Sequence, residues 1–170
     1  REYVFLYIYK QKGAIRFQDC FVKQRLCTPP KFYIEGENAM AKKNGAQSVE
    51  VIPGRKIVLS AGDGKTNITE LKWLCETVLE EAKKWESTGW AYIADCSQMN
   101  PVTPAEGGEL VVMTQKFVEA GCKAFGFAEG NSVMLKVQAK KNTERSQTGV
   151  TEGHFATVNE VLKWLAELGF

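Results

Sequence analysis

Histidine occurs once in these 170 residues, at position 154, and the five cysteines (20, 27, 75, 96 and 122) form no C-x-x-C pair. An odd number of cysteines with no zinc-like spacing argues against a metal-stapled fold or a disulfide framework; reduced thiols in a cytoplasm are the simpler reading. No apolar run approaches the ~20 residues of a membrane span, and the aromatic run Tyr3–Tyr9 has neither the length nor the flanks of a signal peptide. The net charge is only +2, too small to imply a nucleic-acid or membrane surface. Internal repeats and low-complexity tracts are also missing.

What is present is 44% apolar and 25% charged residues, enough for one buried core and too few for two. The charge is uneven: residues 1–39 carry seven Lys/Arg against four Asp/Glu, and 40–170 carry fifteen against sixteen. The first 39 residues also hold eight of the eighteen aromatics and the Pro29-Pro30 break, with no helix cap or sustained period. Met40-Ala41-Lys42-Lys43-Asn44 looks like a bacterial start, and Glu35-Gly36-Glu37 back-translates to codons that can spell a ribosome-binding site. Residues 1–39 are therefore expected to be an N-terminal extension of translated upstream sequence, with 40–170 as the domain; the competing reading is a genuine extension carrying Tyr3–Tyr9 as an alternating edge strand.

From Ser48 the pattern becomes orderly. Val49, Val51 and Ile52, the turn dipeptide Pro53-Gly54, and Ile57-Val58-Leu59 predict a β-hairpin. Gly64-Lys65-Thr66 has the end of a phosphate-binding loop, but the glycine needed five positions earlier is Leu59, so Ala61–Thr66 reads as a glycine-rich connection. Asn67, with Glu70 three residues on, caps a helix running to about Glu86, whose stripe Ile68, Leu71, Cys75, Val78, Ala82 and Trp85 faces inward. Trp73 lies nearly opposite that stripe, which makes it a candidate contact residue.

The chain is organised around Trp90 to Phe117. A short apolar strand, Trp90–Ala94, ends at Asp95 and opens through Cys96–Val102 into a helix specified by Thr103 as cap, Pro104 in its first turn and Glu106 three residues after the cap. Loops at strand C-terminal ends are where α/β sheets present their sites, so 95–103 is the first candidate region. Leu110, Met113, Phe117 and Val118 face inward until Gly121, and Cys122–Ala128 alternates as a strand. Gly130-Asn131-Ser132 opens a third helix, with Val133, Met134 and Val137 apolar and Lys136, Lys140, Lys141 and Arg145 making its other side basic. Asn142–Glu152 reads as a loop, His154–Thr157 as a strand, and Val158, Val161, Leu162, Leu165 and Leu168 as the buried stripe of a last helix. The order predicts a single α/β domain, a mixed, mostly parallel sheet of about five strands with four helices, in which strand 90–95 is central.

Residues 49–170 resemble the STAS domain, the fold of bacterial anti-sigma factor antagonists and of sulphate-transporter cytoplasmic tails, particularly small stand-alone antagonist-like relatives. The resemblance rests on Asp95-Cys96-Ser97, close to that family's Asp-hydrophobic-Ser, on the hydroxyl residue opening a helix about eight positions later, on Gly121 before the next strand, and on the closing Phe155-Ala156-Thr157-Val158-Asn159-Glu160-Val161-Leu162. It implies a non-enzymatic, cytoplasmic regulatory module without a cofactor, docking a protein partner of the anti-sigma type or another regulator. In that family the helix-opening serine is phosphorylated, and the added charge breaks partner binding. Here the family's Asp-Ser-Ser-Gly is replaced by Val102-Thr103-Pro104-Ala105, so Thr103 keeps a hydroxyl and is expected to be occupied chiefly as a cap; Thr103 and Ser97 are the phosphoacceptor candidates.

Three functions follow for the 95–103 region. The first is the regulatory or binding module, with Asp95, Cys96, Ser97, Met99, Asn100, Val102, Thr103, Trp73, Lys136 and Lys140 as contact residues and a homodimer as a further option. The second is a carrier of a lipid-like or other small apolar ligand held between the loop and the basic third helix. The third is a thiol enzyme with Cys96 as nucleophile, Asp95 beside it and His154 as base, although nothing in the spacing brings His154 to Cys96. No residue is expected to hold a metal.

Overall fold

The computed structural model describes residues 41–170; the expected leader and its run Tyr3–Tyr9 lie outside the described residues. The elements are β1 (Lys42–Asn44), β2 (Gln47–Val51), β3 (Ile57–Gly64), α1 (Ile68–Ala82), β4 (Trp90–Met99), α2 (Pro104–Glu119), β5 (Cys122–Ala128), α3 (Val133–Ser146), β6 (Thr151–Phe155) and α4 (Val158–Glu167). A 3-10 turn at Lys83–Trp85 finishes α1. The six strands form one sheet in chain order. The first three are antiparallel and β3 to β6 run parallel, which makes the sheet mixed and mostly parallel, with four helices as expected. The strand beyond the expected five is β1, whose Lys-Lys-Asn sequence has little strand propensity and is ordered by pairing with Gln47–Val49.

Alternation along the strands divides the core in two. Val58, Trp90, Tyr92 and Phe125 face a cluster with Leu71, Leu74 and Val78 of α1 and Met113 and Phe117 of α2. Ile57, Leu59, Ala91, Ile93 and Ala124 face the other side, where Val161 and Leu165 of α4 cover them. Parallel connections that always step in one direction across a sheet, each right-handed, put their helices on one face. That leaves the opposite face for α4. At Gly126 of β5 the approach is so close that a Cβ would lie 2.1 Å from Val161 Cγ1, so only glycine lets α4 seat there. Edge-to-face rings, Trp90 on Phe117 and Tyr92 on both Phe117 and Phe125, fill the first cluster.

The capping predictions are met at three helices. Asn67 Oδ1 accepts from Glu70 N, Thr103 and Glu106 form a reciprocal box with Pro104 in the first turn, and Ser132 Oγ accepts from Leu135 N. Several boundaries differ from expectation. β3 continues through Ala61–Gly64, and β4 continues through Cys96–Met99, because the two pair with each other beyond the apolar runs that marked them. Helix α3 runs on to Ser146, since Thr143 and Ser146 are buried and bond to carbonyls within their own helix, overriding their modest propensity. Strand β6 starts at Thr151, where Thr151-Glu152-Gly153 pairs with Ala124-Phe125-Gly126, and it ends at Phe155 so that Thr157 can cap α4. Ile68 and Leu168, assigned to buried stripes, are exposed at the ends of their helices.

Candidate functional site

Strand β4 is paired on both sides only as far as Asp95. On the β5 side the pairing ends at Asp95 with Ala128, whereas on the β3 side it continues to Met99 with Gly64. Between Asp95 and Gln98 the strand advances three residues while β3 advances two, from Ala61 to Asp63, so β4 bulges there. Bulges re-aim side chains next to sites. The connection into α2 is therefore only residues 100–103, and the expected loop 95–103 is corrected to a bulged strand end plus a short turn. Asn100 N donates to Gly64 O at 2.8 Å and closes it. Asp95 Oδ1 accepts from Ser97 N at 3.0 Å, which orders the strand end.

A cavity of about 80 Å³ lies behind this strand end, between the sheet and the helices of its first face. Leu71, Leu74, Tyr92, Phe125, Leu110 and Met113 form its apolar walls. Asp95, Cys96, Met99 and Val102, four of the expected contact residues, line it together. Gly62 leaves room for Met99, whose Cγ and Sδ would be 2.5 Å from a Cβ there. Ser97, Asn100 and Thr103 lie on the outer rim instead, with Asn100 and Thr103 exposed. Trp73 does not join them: it is half-buried and packs against the α1–α2 cluster, so it is not the outlying aromatic that the helical stripe suggested.

Helix α3 roofs the cavity with Leu135, Gln138, Ala139, Asn142 and Thr143. Gln138 latches it to the turn, accepting from Val102 N at 3.2 Å and donating to Val102 O at 3.0 Å. This rotation turns the expected apolar residues outward: Val133, Met134 and Val137 are 75%, 59% and 57% exposed, alongside exposed Lys136 and Lys140. The inward positions 135, 138, 139, 142, 143 and 146 keep helical spacing but are mostly polar, which is why hydrophobic periodicity pointed to the wrong face. Gln138 and Gln47, a buried residue at the start of β2 that also lines the cavity, carried no signal readable in the sequence.

Burial, with the Glu129 and Asp95 carboxylates nearby, pushes the Cys96 thiol up to about 12, and its Sγ donates only to Ala94 O of its own strand at 3.8 Å. Burial raises the Tyr92 hydroxyl despite its hydrogen bond with Ser60. His154 is not placed as a base for Cys96: its Nδ1 meets Glu129 Oε1 at 2.6 Å, its ring stacks on Phe127 at 5.1 Å, and Glu152 Oε1 lies 3.6 Å from Nε2. Lys136 reaches a separate hollow shared with His154 and Glu129. Among the described residues no group of three or more His, Cys, Asp or Glu could hold a metal ion, and no helix is long and apolar enough to cross a membrane.

No family model matches the chain, and no curated protein matches it. Among solved structures it is similar to an uncharacterized protein of the DUF3478 family with a SpoIIAA-like fold, from Shewanella loihica PV-4, at 13% identity and a TM-score of 0.56, over 74% of this chain and 98% of that one. Likeness at that identity speaks to the fold, and it agrees with the resemblance carried by Asp95-Cys96-Ser97 and the helix opened at Thr103. Residues 41–170 thus adopt the SpoIIAA-like fold, which is the fold of STAS domains and anti-sigma factor antagonists.

Proposed function

We propose that this protein is a non-enzymatic regulatory binding module of the bacterial cytoplasm that docks a protein partner on the rim of the β4–α2 turn and the outer face of α3. The observation that carries this reading is the inverted helix, which leaves Val133, Met134 and Val137 outside beside Lys136 and Lys140. Apolar side chains ringed by cations suit a partner surface of apolar residues flanked by carboxylates. Ser97, Asn100 and Thr103 adjoin that face and supply polar contacts, and a phosphate on the Thr103 or Ser97 hydroxyl would place a dianion at the rim, altering docking as in the resembling family. A protonated Cys96 and a committed His154 are consistent with binding without chemistry.

The test is a pull-down from a bacterial lysate with the wild-type protein and with a Val133→Asp, Val137→Asp variant, followed by reconstitution from purified components. A protein that binds the wild type directly and is lost by a normally melting variant supports the reading. Retention by the variant, or no direct binder, refutes it. Self-association that the same variant abolishes, seen by sedimentation, would instead make the partner a second copy.

A second reading is favoured by the cavity itself: a small apolar ligand held between β4, the turn and α3. Met99 and Val102, expected as contact residues, face that interior.

A further inference from the structure

The cavity behind β4 has mostly apolar walls, and Gln47 enters it from β2. Gln47 opens β2, paired with Asn44 on one side and Gly62 on the other, and is 3% exposed. Its Nε2 is buried with no hydrogen-bond partner among the described residues. It lies at the Gly62–Met99 end of the cavity, since a Cβ on Gly62 would be 3.2 Å from that nitrogen and 2.5 Å from the Met99 side chain. Of the other polar groups of the lining, half-buried Asn142 on α3 makes no side-chain hydrogen bond among the described residues, and most of the rest are spoken for. Ser60 and Tyr92 bond each other, Thr114 and Thr143 bond carbonyls of their own helices, Gln138 serves Val102, and Asp95 serves Ser97 N.

An unpaired amide donor in an apolar wall is costly, and each such group in a folded protein calls for a partner. We infer that the cavity binds a compact, neutral, apolar molecule carrying a hydrogen-bond acceptor, a carbonyl or ether oxygen, and that Gln47 Nε2 donates to that acceptor. This inference rests on the second reading above and adds the chemistry of the ligand. An anion is disfavoured because no lysine or arginine lines the cavity and Asp95 does. At about 80 Å³ the space is roughly half the ~150 Å³ cavity that admits benzene, so the enclosed part of the ligand has only a few heavy atoms.

The probes are acetone and isobutene, the same four-atom skeleton with a carbonyl oxygen exchanged for a methylene, titrated by NMR into the full chain and into Gln47→Met. The methionine keeps the length of the side chain and removes the donor. In the wild type both probes should shift the amides of Gly62 and Met99, and the ketone-to-alkene affinity ratio should fall by about five- to hundredfold in Gln47→Met. An unchanged ratio with both probes binding overturns the role of Gln47 and leaves the cavity reading standing. If neither probe binds the wild type, the cavity reading fails and this inference with it. The variant should melt at or above the wild-type temperature, because no protein hydrogen bond is lost; a fall of more than about 5 °C would show that the amide has a structural partner, and would overturn the inference.

Discussion

Thr103 closes a reciprocal pair of hydrogen bonds with Glu106: its Oγ1 accepts from Glu106 N at 3.4 Å while Glu106 Oε2 accepts from Thr103 N at 2.7 Å. Its hydroxyl is first of all a cap. Thr103→Ala is expected to cost about 1 kcal/mol in denaturant unfolding, and Thr103→Ser to be nearly silent. If the alanine variant unfolds like the wild type, the cap role is refuted. The thiols of Cys96 and Cys122 are both pushed up to about 12, chiefly by burial. Their folded values lie above the ~8.5 of an unfolded cysteine, so the stability they contribute is complete below that pH and is lost as pH rises toward 12. Unfolding free energy should therefore decline from about pH 8.5 upward, and Cys122→Ala should make that decline shallower. An equally steep decline in the variant would mean that other groups carry it. Folded protein at pH 8 should also resist alkylation at Cys96; rapid labelling there would revive the thiol-enzyme reading.

At the scale of elements, two contacts decide how helices meet the sheet. Gly126 admits α4 by offering no Cβ to Val161. Gly126→Ala is expected to destabilise by about 1–3 kcal/mol through overpacking. In a Val161→Ala background the same change should cost clearly less, because the two residues share one contact; simple additivity in the double-mutant cycle would show that the cost arises elsewhere. The Gln138 amide is the second contact, holding both the N–H and the carbonyl of Val102. Gln138→Ala should cost about 1–2 kcal/mol, and the Val102 amide should exchange its hydrogen faster than in the wild type. Unchanged exchange would mean that the turn is held without α3. Arg55, just after the hairpin turn, plays a comparable part for α4, donating to Leu162 O and Phe170 O.

For the molecule as a whole, the buried apolar residues described run from Val49 to Leu165, and both clusters close within that span. A 40–170 fragment is accordingly expected to melt within about 5 °C of the full chain; a larger fall would mean that the first 39 residues belong to the fold. Much of the architecture was legible in local patterns. Pro53-Gly54 between apolar runs, the capped starts at Asn67, Thr103 and Ser132, and the uninterrupted run Trp90–Ala94 each state a local preference that nothing distant contradicts. The sequence by itself thus determined the order of elements from β2 onward and the starts of α1, α2 and α3, because those depend on neighbours within a few residues. The tertiary structure decided the rest: Cys96–Met99 became strand only by pairing with Ala61–Gly64. Helix α3 turned its polar side inward only because Gln138 latched to Val102 and Thr143 and Ser146 became buried. Those contacts join residues far apart in the chain, and no local propensity or periodicity encodes a partner that has yet to arrive.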